Sequence, residues 1–393
     1  MYQLGSKRSV IRETFEYGRK RKAEIGADKV FDFSLGNPSV RPPEIVNKLL
    51  KEIIDEMEPT ALHGYTSAPG DPATRQAVCD SLNRRFKAGL TPDFIYMTCG
   101  AAASLSCCIS ALCCKGDEFI ALAPYFAEYK VFTEAAGGKF RVAMPDPDTF
   151  QIDIKNLRKE ICKKTKAVII NSPNNPAGVV YSEKTIKKVC KLLKDKSEKY
   201  GHPIYLIADE PYREIVFDKT KVPFLINYYD NTLVCYSYSK SLSLPGERIG
   251  YVAVSPKAED AKGLYAAVMG AGRALGYVCA PSLFQKLVAR LPEVTSDISV
   301  YKKNRDILLG GLESFGYICV PPQGAFYLFV KALEPDAYAF CEKAKKYELL
   351  LVPGDDFGCP GYVRIAYCVS TAQIENSLPA FKKLIEDYKN DRS

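Results

Sequence analysis

Apolar positions along the chain fall into short unbroken runs separated by longer stretches of helical periodicity. The clearest runs are FIYMTC (94–99), EFIALA (118–123), AVIIN (167–171), IYLIAD (204–209), TLVCYS (232–237) and IGYVAV (249–254). They are apolar on both faces, as strands of a sheet covered by helices must be. Helix-like stretches lie between most of them, at 102–114, 128–136 and 183–200. This alternation predicts an α/β fold with a mostly parallel sheet sandwiched by helices. The last third differs. A long helix-like region at 282–314 is followed by GAFYLFVK (324–331), ELLLVPG (348–354) and YVRIAYC (362–368). That pattern predicts a smaller α+β domain made of residues 1–45 and 282–393, beside a large domain of residues 46–281.

Composition narrows the classes of function. With 393 residues, 47% of them hydrophobic, the chain can bury a sizeable core. Lys and Arg exceed Asp and Glu by 54 to 46, a mild surplus for this length. The densest basic region alternates Lys187, Lys188, Lys191 and Lys194 with Val189, Cys190, Leu192 and Leu193. That is the wet face of an amphipathic helix, not the basic stripe interleaved with aromatics that nucleic acid requires. No apolar run is long enough to cross a bilayer, and MYQLGSKRSV lacks an apolar signal core. Fourteen cysteines without regular spacing do not make a disulfide framework, so the expectation is a cytoplasmic protein with reduced thiols. The pairs Cys107/Cys108 and Cys113/Cys114 lie in an apolar helix-like stretch and read as buried core rather than metal ligands. His63 and His202 are the two histidines, too few for a histidine-rich metal site, and neither accompanies a nucleophile-elbow sequence.

In open α/β sheets, ligands bind beyond the carboxyl ends of the strands. There the chain carries Gly100-Ala101-Ala102, Ser172 to Gly178 with Asn175, Asp209 with Tyr212, and Ser237 with Lys240, and Arg248 comes eight residues after Lys240. Taken singly, each has an ordinary reading: a turn glycine, a salt-bridged or helix-capping aspartate, a surface lysine, a core Phe126. Together they fit one cofactor, pyridoxal 5'-phosphate. Backbone N–H groups at Gly100, Ala101 and Ala102 suit a phosphate at a helix start, completed by Ser237 and Arg248. Asp209 suits a protonated pyridine nitrogen. Tyr212 and Asn175 suit its phenolic oxygen, Phe126 its ring face, and Lys240 its aldehyde.

Several segments, in order, resemble the class I/II aminotransferases, the fold-type I pyridoxal-phosphate enzymes related to aspartate aminotransferase. They are LGNPS (35–39), GYTSAPGDPATRQAV (64–78), NSPNNPAG (171–178), ADEPY (208–212), SYSKSLSLPGERIGY (237–251), PPQGAFYLF (321–329), VPGDDFG (352–358) and YVRIAY (362–367). The resemblance implies that Lys240 holds the cofactor as a Schiff base and that Arg364 clamps the substrate α-carboxylate. It implies that Gly36 helps close the site and that Tyr65 reaches the phosphate of a neighbouring subunit in a homodimer. The implied reaction moves an amino group between an L-amino acid and a 2-oxo acid. A lyase acting on the same scaffold is the alternative, with a non-catalytic ligand-sensing domain behind it. That last reading needs an attached DNA-binding module, for which the first 30 residues are too short. Ala177, Ala101, Ala102 and Phe126 depart from the family's usual residues without removing a catalytic group. Arg273, in GAGRALGY, reads as a partner for an acidic substrate side chain or as structural.

Overall fold

Runs without a polar residue on either face become the interior strands of a sheet covered on both sides. The computed structural model describes residues 2–6 and 9–391, so part of the opening MYQLGSKRSV and the end of the predicted smaller domain lie outside the described residues. The strands are β1 (Phe31–Asp32), β2 (Ile95–Thr98), β3 (Glu118–Leu122), β4 (Lys139–Ala143), β5 (Thr165–Asn171), β6 (Tyr205–Asp209) and β7 (Thr232–Ser237). They continue as β8 (Gly250–Val254), β9 (Cys319–Val320), β10 (Tyr327–Lys331), β11 (Leu349–Leu350), β12 (Val352–Pro353) and β13 (Tyr362–Ala366).

A seven-stranded sheet has the order β2-β8-β7-β6-β5-β3-β4. All neighbours are parallel except β8, which runs antiparallel to both β2 and β7. Side chains alternate between two cores with the period of two that a pleated strand imposes. Val168, Ile170, Leu206 and Val234 enter one core, and Ala167, Ile169, Ile207 and Leu233 the other. Helices Ala101–Leu112 and Ala261–Ala274 pack together on the second face. The lysine-rich helix Glu183–Tyr200 buries Ile186, Val189, Leu192 and Leu193 on the first, with its lysines outward as expected. Edge strand β4, KFRVA, escapes the sequence pattern because it alternates exposed and covered positions.

The C-terminal third forms an antiparallel sheet, β12-β13-β10-β9, and β1 pairs in parallel with β11. A third core gathers Phe33, Tyr212, Tyr301, Phe326, Ile365 and Phe381. The amino-terminal helix Val10–Ile25 belongs on this side, tied by Arg21 to Glu348 at 2.6 Å. The helix-like region 282–314 is two helices, Ser282–Ala289 and Ser299–Phe315. Pro292, which has no N–H to continue a helix, lies in the break. Leu287, Val288 and Leu291 pack into the core of the large sheet, whereas Tyr301, Leu308 and Leu312 enter the third core.

All fourteen cysteines are free. Cys107 and Cys108 are buried as expected. The Cys113/Cys114 pair follows the helix, which ends at Leu112: Cys113 is part-buried against the core, and Cys114 is exposed. Among the described residues no helix is long and apolar enough to cross a membrane.

Candidate active site

The carboxyl edge of the large sheet collects most of the predicted residues. Gly100 does not come from a neighbour of β7. Strand β8 lies between β2 and β7, and because it is antiparallel its start, with Arg248, falls on the same edge as the ends of the others. Gly100 opens the helix Ala101–Leu112 with φ +86° and ψ 174° and no side-chain cap. The first N–H groups of that helix therefore point outward as free donors. A Cβ on Gly100 would sit 2.9 Å from Arg248 Nη2, so the guanidinium rests against the bare Cα. Arg248 also donates to Ser239 Oγ at 3.3 Å, and Ser239 and Ser237 share a hydrogen bond of 2.8 Å. Ala101, Ala102, Ser237 and Arg248 thus form one anion cradle, to which the structure adds Ser239.

Asp209, at the end of β6, is 4% exposed. Its Oδ2 accepts from the Tyr129 hydroxyl at 2.5 Å and from Asn171 Nδ2 at 3.4 Å. Its Oδ1 is buried without a partner among the described residues. Burial raises the carboxyl from 3.8 to about 7, the Tyr129 hydrogen bond opposing. The salt bridge or helix cap that the sequence left open is not there. Instead one oxygen awaits a donor. Phe126, part-buried, meets the Tyr129 ring edge-on at 5.7 Å.

Lys240 follows β7 on a single helical turn, Tyr238–Ser241. Its Nζ donates to Gly36 O at 2.7 Å and lies 5.5 Å from the centre of the Phe326 ring. Burial lowers its amine from 10.5 to about 8, Cys368 opposing and Arg248 and Arg364 adding to the fall. A neutral amine is thereby within reach near neutral pH.

Arg364, on β13, is 2% exposed and has no carboxylate partner among the described residues. It donates to Ser34 O at 2.6 Å and to Asn175 Oδ1 at 3.2 Å, while its Nε lacks an acceptor. A buried guanidinium held only by neutral groups favours an incoming carboxylate. Asn175 takes its place through Asn171, whose Oδ1 receives the Asn175 N–H at 2.7 Å and whose Nδ2 donates to Asp209 O at 2.9 Å. Tyr212 OH shares a hydrogen bond of 2.9 Å with Tyr327 OH.

Two predicted residues stand apart. Tyr65 is 91% exposed and hydrogen-bonds no described residue. Arg273 is exposed near the end of the helix Ala261–Ala274, with no ion pair among the described residues. Tyr129, Asn171, Ser239 and Tyr327 are the contributors the sequence reading did not single out. For Tyr129 a signal existed: it follows Phe126 by three residues, one helical turn, on the stretch already marked for Phe126.

A model of the family described as aminotransferase class I and II matches residues 28–381. The chain is 29% identical to aspartate aminotransferase of Thermotoga maritima over 97% of each chain. It is 27% identical to aspartate aminotransferase of Pyrococcus horikoshii, covering 98% of this chain and 96% of that one. Among solved structures, an amino transferase from Eubacterium rectale superposes with a TM-score of 0.97 at 59% identity, covering 99% of this chain and 98% of that one. A part-buried lysine with a buried aspartate and arginine converging on one sheet edge, within a sequence and fold matched over nearly the whole chain, place this protein in the class I and II aminotransferase family, and its activity is that of a transaminase.

Proposed function

We propose that this aminotransferase works with pyridoxal 5'-phosphate held at Lys240 and shuttles an amino group between an L-amino acid and a 2-oxo acid. One observation carries the reading. A buried acceptor without a donor (Asp209 Oδ1), a buried guanidinium without a carboxylate (Arg364) and an amine lowered to about 8 (Lys240) lie at one edge. A pyridinium, a substrate carboxylate and an aldehyde would complete those three.

When bound, the cofactor supplies an aldehyde that takes up amino groups and a ring that withdraws electrons. The chain's residues do the rest. Gly100, Ala101, Ala102, Ser237 and Arg248 hold the phosphate. Asp209 keeps a proton on the pyridine nitrogen. Tyr212 and Asn175 hydrogen-bond the phenolic oxygen, and Phe126 covers the ring. Arg364 fixes the substrate carboxylate so that the Cα–H bond faces Lys240, whose free amine then removes and returns that proton. Gly36, whose carbonyl restrains Lys240, keeps water from the lysine. Tyr65, exposed in one protomer, completes the phosphate site of a partner in a homodimer. The packing of Leu287, Val288 and Leu291 supports a large domain running past 281 to about residue 291, with the remainder and the amino-terminal 45 residues as the small domain. Fourteen free cysteines support a cytoplasmic setting.

The relatives from Thermotoga maritima and Pyrococcus horikoshii carry the name of aspartate, which makes L-aspartate the amino donor to try first. Lys240→Ala should abolish visible cofactor absorption and lower turnover by about a thousandfold or more. Ordinary transamination by that variant would end the proposal. Product should also form only when a 2-oxo acid acceptor is supplied. Steady release of oxo acid without one would transfer the assignment to a lyase.

A further inference from the structure

We infer that Tyr327 is a positioning residue for amino transfer, setting the hydroxyl of Tyr212 on one side and the guanidinium of Arg364 on the other. The inference rests on the reading of the site just given. Tyr327 opens β10, and its side chain is 2% exposed. Its hydroxyl meets Tyr212 OH at 2.9 Å, with the two rings edge to face at 5.7 Å and 81°. Arg364 lies over the Tyr327 ring, 4.8 Å from its centre. The same hydroxyl touches the loop that holds Lys240: a Cβ on Gly36 would lie 1.9 Å from it, and Gly36 O receives Lys240 Nζ at 2.7 Å. One phenol therefore contacts the neighbours of cofactor, substrate carboxylate and lysine.

The hydrogen bond has a direction that matters. When Tyr327 donates to the Tyr212 oxygen, the Tyr212 proton is free to point at the cofactor's phenolic oxygen. Donation along such a chain strengthens the next bond. Both tyrosines are buried, so water does not replace a lost partner. With the cofactor bound, a hydrogen bond from Tyr212 would favour negative charge on its phenolic oxygen, and losing that bond would raise the pH at which the bound cofactor gives up its proton. Other titratable groups facing the pair are Asp209 from β6, Tyr301 from the helix Ser299–Phe315, Arg364 from β13 and Cys368 just beyond it. Lys240 faces it through Gly36. Tyr327→Phe removes none of these groups and keeps the ring against Arg364.

Tyr327→Phe keeps the ring beneath Arg364 and removes only the hydroxyl. In the holoprotein, the midpoint of the pH titration followed by visible absorption should rise by about half a unit to one unit. The KM for the amino donor should stay within about twofold while kcat falls. Tyr327→Leu removes the ring as well, and its KM for the amino donor should rise about tenfold. A Tyr327→Phe holoprotein whose midpoint coincides with wild type would overturn the inference, even if its thermal stability dropped, because that is what packing alone would give. A wild-type protein without visible absorption would instead overturn the cofactor assignment, and this inference with it.

Discussion

Asp209 shows how the proposed cofactor site would strain the fold at a single residue. Its carboxyl titrates near 7 in the folded chain against an ordinary 3.8, because burial without a cation disfavours the charge. The folded state thus holds more protons than the unfolded one between those two values, and stability falls as pH rises through that window. Above about pH 7 the penalty is fully present unless a pyridinium answers it. Asp209→Asn keeps an acceptor for Tyr129 and removes the charge. In the cofactor-free protein it should therefore stabilise more at pH 8 than at pH 5, by about 1–3 kcal/mol, while cofactor-dependent turnover collapses. Thermal denaturation at the two pH values reads the difference, and an equal change at both would refute the account. Asp209, Lys240 and Arg248 were legible in the sequence because charged residues at the ends of apolar runs have to be explained, whereas Arg364 came only from the resemblance to a family. Tyr129 and Tyr327 were not, since among 25 tyrosines nothing but position in space separates a hydrogen-bonding phenol from a core ring.

At the scale of elements, the six apolar runs all became strands of the large sheet, and the pattern lost its edge strand β4 together with the two-residue strands β1 and β9. What the pattern does not encode is strand order. Strand β8 intervenes between β2 and β7 and runs backwards, and this reversal is what sets Arg248 against Gly100. Gly100 has a φ and ψ open essentially to glycine alone, and a methyl there would also push the Arg248 guanidinium aside. Gly100→Ala should cost about 1–3 kcal/mol in backbone strain. It should also weaken cofactor binding by about tenfold or more as the cradle opens. Equilibrium dialysis against the cofactor, with a melting curve beside it, tests both. Unchanged binding would mean that the helix start at Ala101 does not hold the phosphate. The break at Pro292 was similarly hidden, because helical periodicity resumes on its far side and only the packing shows the two pieces serving different cores.

The whole molecule joins two packed bodies through the site itself. Lys240 from the large sheet is held by Gly36 of the amino-terminal segment, and Arg364 of the second sheet reaches both Ser34 O and Asn175. Closure of one body on the other would thus assemble substrate and lysine together. One predicted member hydrogen-bonds no described residue: Tyr65 is 91% exposed, whereas Asp209, Tyr212, Ser237 and Arg364 are buried. An exposed tyrosine with no hydrogen bond in its own protomer fits a symmetric dimer, in which each copy lends it to the other. That arrangement makes a prediction no monomeric site shares. Tyr65→Ala and Lys240→Ala protomers, each impaired as homodimers, should recover activity when co-expressed. Random pairing makes about half the dimers hybrid, and each hybrid has one site with both residues intact, so about a quarter of all sites should work normally. The recovered fraction should share the KM of wild type. Activity that merely averages the two parents would show that Tyr65 serves its own protomer or none.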